Sequence, residues 1–286
     1  MTSTLEQIQT KVKNITARNP VYSEISQWVG ELLTITVKAS DGFRPVDIPF
    51  TADTIPPAWY QGKPLMKIDE LPLNWMQAKA LYNQLVNQIK HTKGGQKQAD
   101  GLMQALDDDA DGIPILMKAI LASDFDAIQT TAGRLSIDPP VLTLLLRLSL
   151  RPALLEMAQR ARDQLDLDRW LHGHCPVCGS APLLADLSGE GGKRTLHCSL
   201  CETAWPYTRL RCPFCENDDI DDLSYLMAEN EKGLRVDLCN RCGNYLKTID
   251  LRELSGPVIV PLDDAATWHL DIIAQKNLTG QGIKQS

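Results

Sequence analysis

Cys175-Pro176-Val177-Cys178, Cys198-Ser199-Leu200-Cys201, Cys212-Pro213-Phe214-Cys215 and Cys239-Asn240-Arg241-Cys242 decide how this chain is read. They hold all eight of its cysteines; none lies in the first 174 residues and none after residue 242. Nineteen residues separate the first pair from the second, ten the second from the third, and twenty-three the third from the fourth. A disulfide framework has no reason to keep every cysteine at one C-x-x-C spacing, whereas a four-thiolate site needs two such pairs. Each spacer of about twenty residues holds one hairpin, which turns two pairs face to face. The spacing is close to that of zinc ribbons and rubredoxins. Cys175, Cys178, Cys198 and Cys201 are therefore expected to ligate one metal ion, and Cys212, Cys215, Cys239 and Cys242 a second, paired in chain order rather than crossed.

Each knuckle needs both sulfurs on one side of a tight turn. Pro176 and Pro213 preset φ after the first cysteine, and Gly179 and Gly243 supply a left-handed residue after the second. Glu202 and Glu216 stand at the equivalent places of the other two knuckles, which implies strain there. His174 and His197 each precede a cysteine; they are expected to shield or hydrogen-bond the sulfurs rather than replace one. Thioredoxin-like redox chemistry needs a single C-x-x-C at a helix start, which four pairs with hairpin spacers do not resemble. All-sulfur tetrahedral ligation suits zinc or a single iron, and the residues alone do not separate them.

Outward from the cysteines, residues 1–170 read as helical. Leu5, Ile8, Val12 and Ile15 recur at helical steps, as do Trp75, Ala78, Leu81, Leu85 and Ile89. The segment 41–72, with six prolines, reads as an extended connection lying over the helices. A long apolar helix follows Asp138-Pro139-Pro140 and should kink or split at Pro152. Beyond 170 the runs Thr195–His197, Ala204–Leu210, Leu223–Ala228, Gly233–Leu238 and Tyr245–Asp250 read as strands, with a hairpin tip at 188–192. Residues 257–261 read as extended, and 264–275 as a helix whose inner side carries Ala265, Trp268, Ile272 and Ile273. The expected architecture is α+β and multi-domain: a helical domain (1–170), two rubredoxin-like modules (171–210 and 211–256), and an extended segment with a C-terminal helix (257–286).

Charge and motif searches remove several functions. The net charge is −7, and residues 171–256 carry nine Lys and Arg against thirteen Asp and Glu. Phosphate contacts dominate nucleic-acid affinity, so the sign is wrong for a nucleic-acid-binding ribbon. No apolar run approaches the ~20 residues of a membrane span, and the N-terminus carries no apolar export core, so the cytoplasm is the expected compartment. Asp107, Asp109, Asp111 and Gly112 match half of an EF-hand loop, but Lys118 stands where a bidentate Glu must close it. No phosphate loop or catalytic signature is present, so no enzyme is expected.

The residues Cys175–Pro182, Leu196–Trp205, Arg211–Asn217 and Leu238–Lys247 resemble the formate dehydrogenase accessory proteins, the FdhE family. The likeness covers about 170–275, with the Arg151-Pro152-Ala153-Leu154 stretch upstream. It implies a non-enzymatic assembly factor of the cytoplasm that binds the molybdenum-containing catalytic subunit of a respiratory formate dehydrogenase before twin-arginine export. It also implies iron in both four-cysteine sites, with zinc as the alternative. Self-association is left open as a homodimer.

Overall fold

The computed structural model describes residues 2–43, 55–68, 71, 73–90, 95–107, 112–228 and 231–280. The chain divides into two compact units, the first made of 1–9, 27–49 and 67–157, the second of 10–26, 50–66 and 158–286. Mixed helix and sheet, with helices before and after the cysteine-bearing part, is the fold class expected from the sequence.

Among the described residues seven α-helices precede the cysteines: α1 (Thr2–Arg18), α2 (Ser23–Ser40), α3 (Trp75–Ile89), α4 (Gly95–Asp107), α5 (Gly112–Leu121), α6 (Phe125–Leu135) and α7 (Pro139–Arg162). Their starts and stops follow local chemistry. Asn74 Oδ1 accepts from Gln77 N at 3.1 Å and Asp124 Oδ1 from Ala127 N at 3.1 Å, satisfying amides that a helix N-terminus leaves open. Ser136 ends α6 in the left-handed conformation, φ +54°. In the first unit α3 to α6 pack on one another, burying Leu81, Leu85, Leu102, Ile113 and Met117. Pro152 does not split α7, which runs unbroken through it. The middle of the EF-hand-like run, 108–111, and part of the proline-rich stretch, including 44–54, lie outside the described residues; Lys118 sits over the Trp75 ring at 5.6 Å.

In the second unit, β1 (Pro182–Ser188), β2 (Lys193–Cys198), β3 (Ala204–Tyr207), β4 (Leu223–Met227), β5 (Leu234–Cys239) and β6 (Tyr245–Asp250) form one six-stranded sheet ordered β3-β2-β1-β6-β5-β4. The pairs β1–β2, β2–β3, β4–β5 and β5–β6 are antiparallel. The two ribbons join where β1 runs parallel to β6, Leu184 opposite Lys247 through Leu187 opposite Asp250. Strand β1 was absent from the sequence reading. It is central and buried on both faces, so it lacks the polar–apolar alternation that marks an exposed strand.

Two helices follow, α8 (Val260–Ala265) and α9 (Trp268–Gly280). The stretch 257–261 is thus only partly extended, and α9 packs Ile273 inward as expected but not Trp268 or Ile272. Leu270 and Ala274 are fully buried against Leu234, Val236, Leu238 and Ile249. Trp268 is 51% and Ile272 36% exposed.

Candidate metal centres

Besides β3 after Cys198–Cys201, two of the six strands follow a knuckle directly, β1 after Cys175–Cys178 and β6 after Cys239–Cys242. Because β1 and β6 are parallel neighbours, both knuckles fall at the same end of the sheet. The antiparallel partners bring the other cysteines there: Pro182 lies opposite Cys198, and Leu223 opposite Cys239. Strand topology alone therefore gathers the cysteines of both ribbons along one edge.

The knuckles repeat one hydrogen-bond frame. Cys175 N donates to Ser180 O at 2.9 Å, Cys198 N to Thr203 O at 2.9 Å, Cys212 N to Asn217 O at 2.8 Å and Cys239 N to Asn244 O at 3.0 Å. Gly179, Glu216 and Gly243 also donate back to Cys175, Cys212 and Cys239 at 2.9–3.0 Å. All four residues after the second cysteine are left-handed: Gly179 φ +78°, Glu202 +55°, Glu216 +59° and Gly243 +69°. The strain anticipated at the two glutamates is present in the backbone.

The eight thiols gather into two groups in chain order: Cys175, Cys178, Cys198 and Cys201, and Cys212, Cys215, Cys239 and Cys242. Within each group all four sulfurs lie within 4.8 Å of one another. The measured edges are 3.6 Å for Cys175–Cys201, 3.4 Å for Cys178–Cys198, and 3.7 Å for both Cys212–Cys242 and Cys215–Cys239. A disulfide needs about 2.05 Å, so none of these is a cystine. A tetrahedron of four sulfurs about 2.3 Å from a central ion has edges of about 3.8 Å. The donor set and its spacing fit such an ion, and each group could hold one.

Thiol electrostatics point the same way. Burial pushes the Cys175 and Cys198 thiols up, while Cys178, hydrogen-bonded to the other three thiols, is pulled well down. In the second group burial raises Cys212 and Cys215. Burial acts against Cys242 too, but hydrogen bonds from Asn244 outweigh it and lower that thiol. Four thiols this close ionise together only when a cation balances them.

The surroundings of the groups differ. All four thiols of the first are buried; in the second Cys215 is exposed and Cys242 partly so. The first knuckle is covered by a segment that the sequence reading had placed over the helices. Trp59 Nε1 and Leu65 N both donate to Pro176 O at 3.0 Å, and Met66 N donates to Val177 O at 2.9 Å. Trp59 and Trp170 stack with ring centres 5.1 Å apart, and Trp170 Nε1 donates to His174 O at 2.8 Å. Neither histidine beside the cysteines spends its Nε2 on a sulfur: His174 Nε2 bonds Gly62 O at 2.9 Å, and His197 Nε2 bonds Asp186 Oδ2 at 2.7 Å. Trp59 and the prolines of 56–64 were the available signal for this cover, but nothing local says what they face.

Comparisons with known proteins converge. The profile of "FdhE, central domain" matches residues 174–209. The chain is 35% identical over 130 residues to "Protein FdhE homolog" of Aquifex aeolicus, and 36% over 159 residues to that of Edwardsiella ictaluri. Those two alignments span 45% and 48% of the relatives' own lengths, about half. "Protein FdhE" of Salmonella choleraesuis is 31% identical over 233 residues, which covers 80% of this chain and 70% of that protein. The crystal structure of the FdhE protein from Pseudomonas aeruginosa superposes with a TM-score of 0.65 over 96% of this chain and 92% of that one, at 20% identity, a likeness of fold. With two groups of four thiols at the spacing of a metal tetrahedron and a relative aligned over most of its length, the chain belongs to the FdhE family.

Proposed function

We propose that this protein is a non-enzymatic assembly factor for a respiratory formate dehydrogenase. It binds the molybdenum-containing catalytic subunit in the cytoplasm, before twin-arginine export. Family membership is the observation that carries this reading. Its cysteines Cys175, Cys178, Cys198 and Cys201 ligate one ion and Cys212, Cys215, Cys239 and Cys242 another, iron in both cases, with zinc as the alternative of the same geometry. The ions pin two small modules, 171–210 and 211–256, whose surfaces meet the client. Residues 1–170 form the helical domain, and 257–286 the closing segment.

No helix among the described residues is long and apolar enough to cross a membrane. The acidic balance of 171–256 speaks against nucleic acid as partner.

Affinity capture of the tagged chain from cells grown anaerobically tests the reading. The catalytic subunit is expected to be retained, and its retention lost in Cys178→Ala and Cys215→Ala. Failure to retain that subunit from a strain that makes it would overturn the assignment. A rubredoxin-like electron carrier is the second reading, favoured by the exposed Cys215. It requires a reversible, visibly absorbing iron couple that turns over with a reductase.

A further inference from the structure

Beside the second thiol group lies a cavity of about 130 Å³. On the same measure one water needs roughly 10–15 Å³, so a group of several heavy atoms fits. Four arginines line it, Arg194, Arg209, Arg211 and Arg235, together with Asp237. This concentration is unexpected in a segment whose overall balance is acidic.

The counter-charges do not match. Arg194 is 5% exposed. Its terminal nitrogens donate to Arg211 O at 3.1 Å and to Asp237 Oδ2 at 3.3 Å. Arg235 approaches the same carboxylate, Nε to Oδ1 at 2.9 Å, and Thr248 donates to it at 2.8 Å. One carboxylate thus serves two guanidinium groups. Arg211 is paired with Glu216 at 3.0 Å, and Arg209 makes no ion pair among the described residues. The Nε–H of Arg194 is buried without a hydrogen-bond acceptor. Buried guanidinium donors left open are costly and rare in native interiors. Arg235 also stacks over the Tyr225 ring at 4.9 Å, which holds its plane in place.

We propose that this cavity is a binding site for an oxyanion, a carboxylate or a phosphate. A planar guanidinium fork matches two oxygens of either group. The tetrathiolate behind Cys212 and Cys239 contributes negative charge to the wall, no arginine donates to a sulfur among the described residues, and the open Nε–H of Arg194 belongs to a residue that lines the cavity. This site is independent of the assembly role.

Calorimetric titration of the full-length, metal-assayed protein at low salt tests it. The probes are inorganic phosphate, succinate, and a capped hexaglutamate peptide. Binding by at least one probe is expected, weakening as salt rises. Arg209→Ala and Arg235→Lys are each expected to weaken it about tenfold, with fold and metal content unchanged. Preference for phosphate or succinate assigns the site to a free anion; preference for the peptide assigns it to a polypeptide carboxylate. Absence of heat with all three probes at millimolar concentration would overturn the proposal. So would arginine variants that bind as wild type, or that lose metal from the second group instead.

Discussion

Cys178 and Cys198 place their sulfurs 3.4 Å apart in a group whose four thiols are all buried, beneath a cover tied down by Trp59 and Leu65. The second group keeps the same tetrahedral spacing but leaves Cys215 exposed. Chelators and thiol reagents must reach sulfur or metal to act, so access sets the order of loss. A metal-loaded sample challenged with a chromogenic chelator should release its ions in two phases. The faster phase should disappear in Cys215→Ser and the slower remain. A single phase for both ions would contradict the difference in burial.

Glu202 and Glu216 hold left-handed backbone at positions where the other two knuckles use glycine. Such strain in a non-glycine residue costs on the order of 1 kcal/mol. Glu216→Gly forfeits a partly exposed ion pair with Arg211, worth little in water. Its net effect should be near neutral to stabilising, within about 1 kcal/mol. The reverse change separates backbone from packing. Gly243→Ala meets nothing within 4 Å, so only the conformational cost, about 1 kcal/mol, is expected. Gly179→Ala adds a contact with Pro64 Cγ at 2.9 Å and should lose more. Equal melting shifts for the two alanines would show that the 64–66 segment does not press on the first knuckle.

Gly173 couples the two ribbons through its lack of a side chain. A Cβ there would lie 1.9 Å from the carbonyl oxygen of Pro213, inside the third knuckle. Backbone cannot swing aside as a side chain does, so Gly173→Ala should cost about 3 kcal/mol or more. Metal assays should show weakened retention at the second group, although the substitution precedes the first. Unchanged retention at the second group would refute the coupling.

How much of this was legible in the sequence divides along the range of the interactions. Both thiol groups, their chain-order pairing and the left-handed glutamates followed from spacing and turn chemistry, which are local. The union of the ribbons did not, because Leu184 and Lys247 are distant in sequence and neither strand signals a parallel neighbour. Strand β1 was hidden because Asp186 sits inside it, buried by its bond to His197. Period counting on α9 favoured Trp268 and Ile272 because they are large. The sheet instead accepts Leu270 and the small Ala274, with Ile273 packed beside them. The arginine cavity was invisible for another reason: its four arginines come from three separate segments, at 194, 209–211 and 235, which the sequence does not say will meet.

Lys11 of α1 and Asp263 of α8 form an ion pair at 2.8 Å with both side chains buried. Asp263 Oδ2 also accepts from Ile259 N at 2.7 Å, and Lys11 Nζ donates to Pro257 O at 3.0 Å. Burial raises the Asp263 carboxyl despite the lowering effect of Lys11. A carboxyl raised in the folded state contributes stability that is full below its unfolded value of 3.8 and is lost as pH climbs through the folded value. Lys11→Met removes the compensating charge and raises that carboxyl further. The loss at pH 7 should be about 3–5 kcal/mol, since one buried charge is left alone. It should shrink steadily toward pH 5 as Asp263 takes up a proton. Adding Asp263→Asn to Lys11→Met should recover most of the loss and flatten its pH dependence. Urea unfolding of the three variants between pH 5 and 8 measures this, and a loss in Lys11→Met that stays constant across that window would show that Asp263 does not carry an isolated charge.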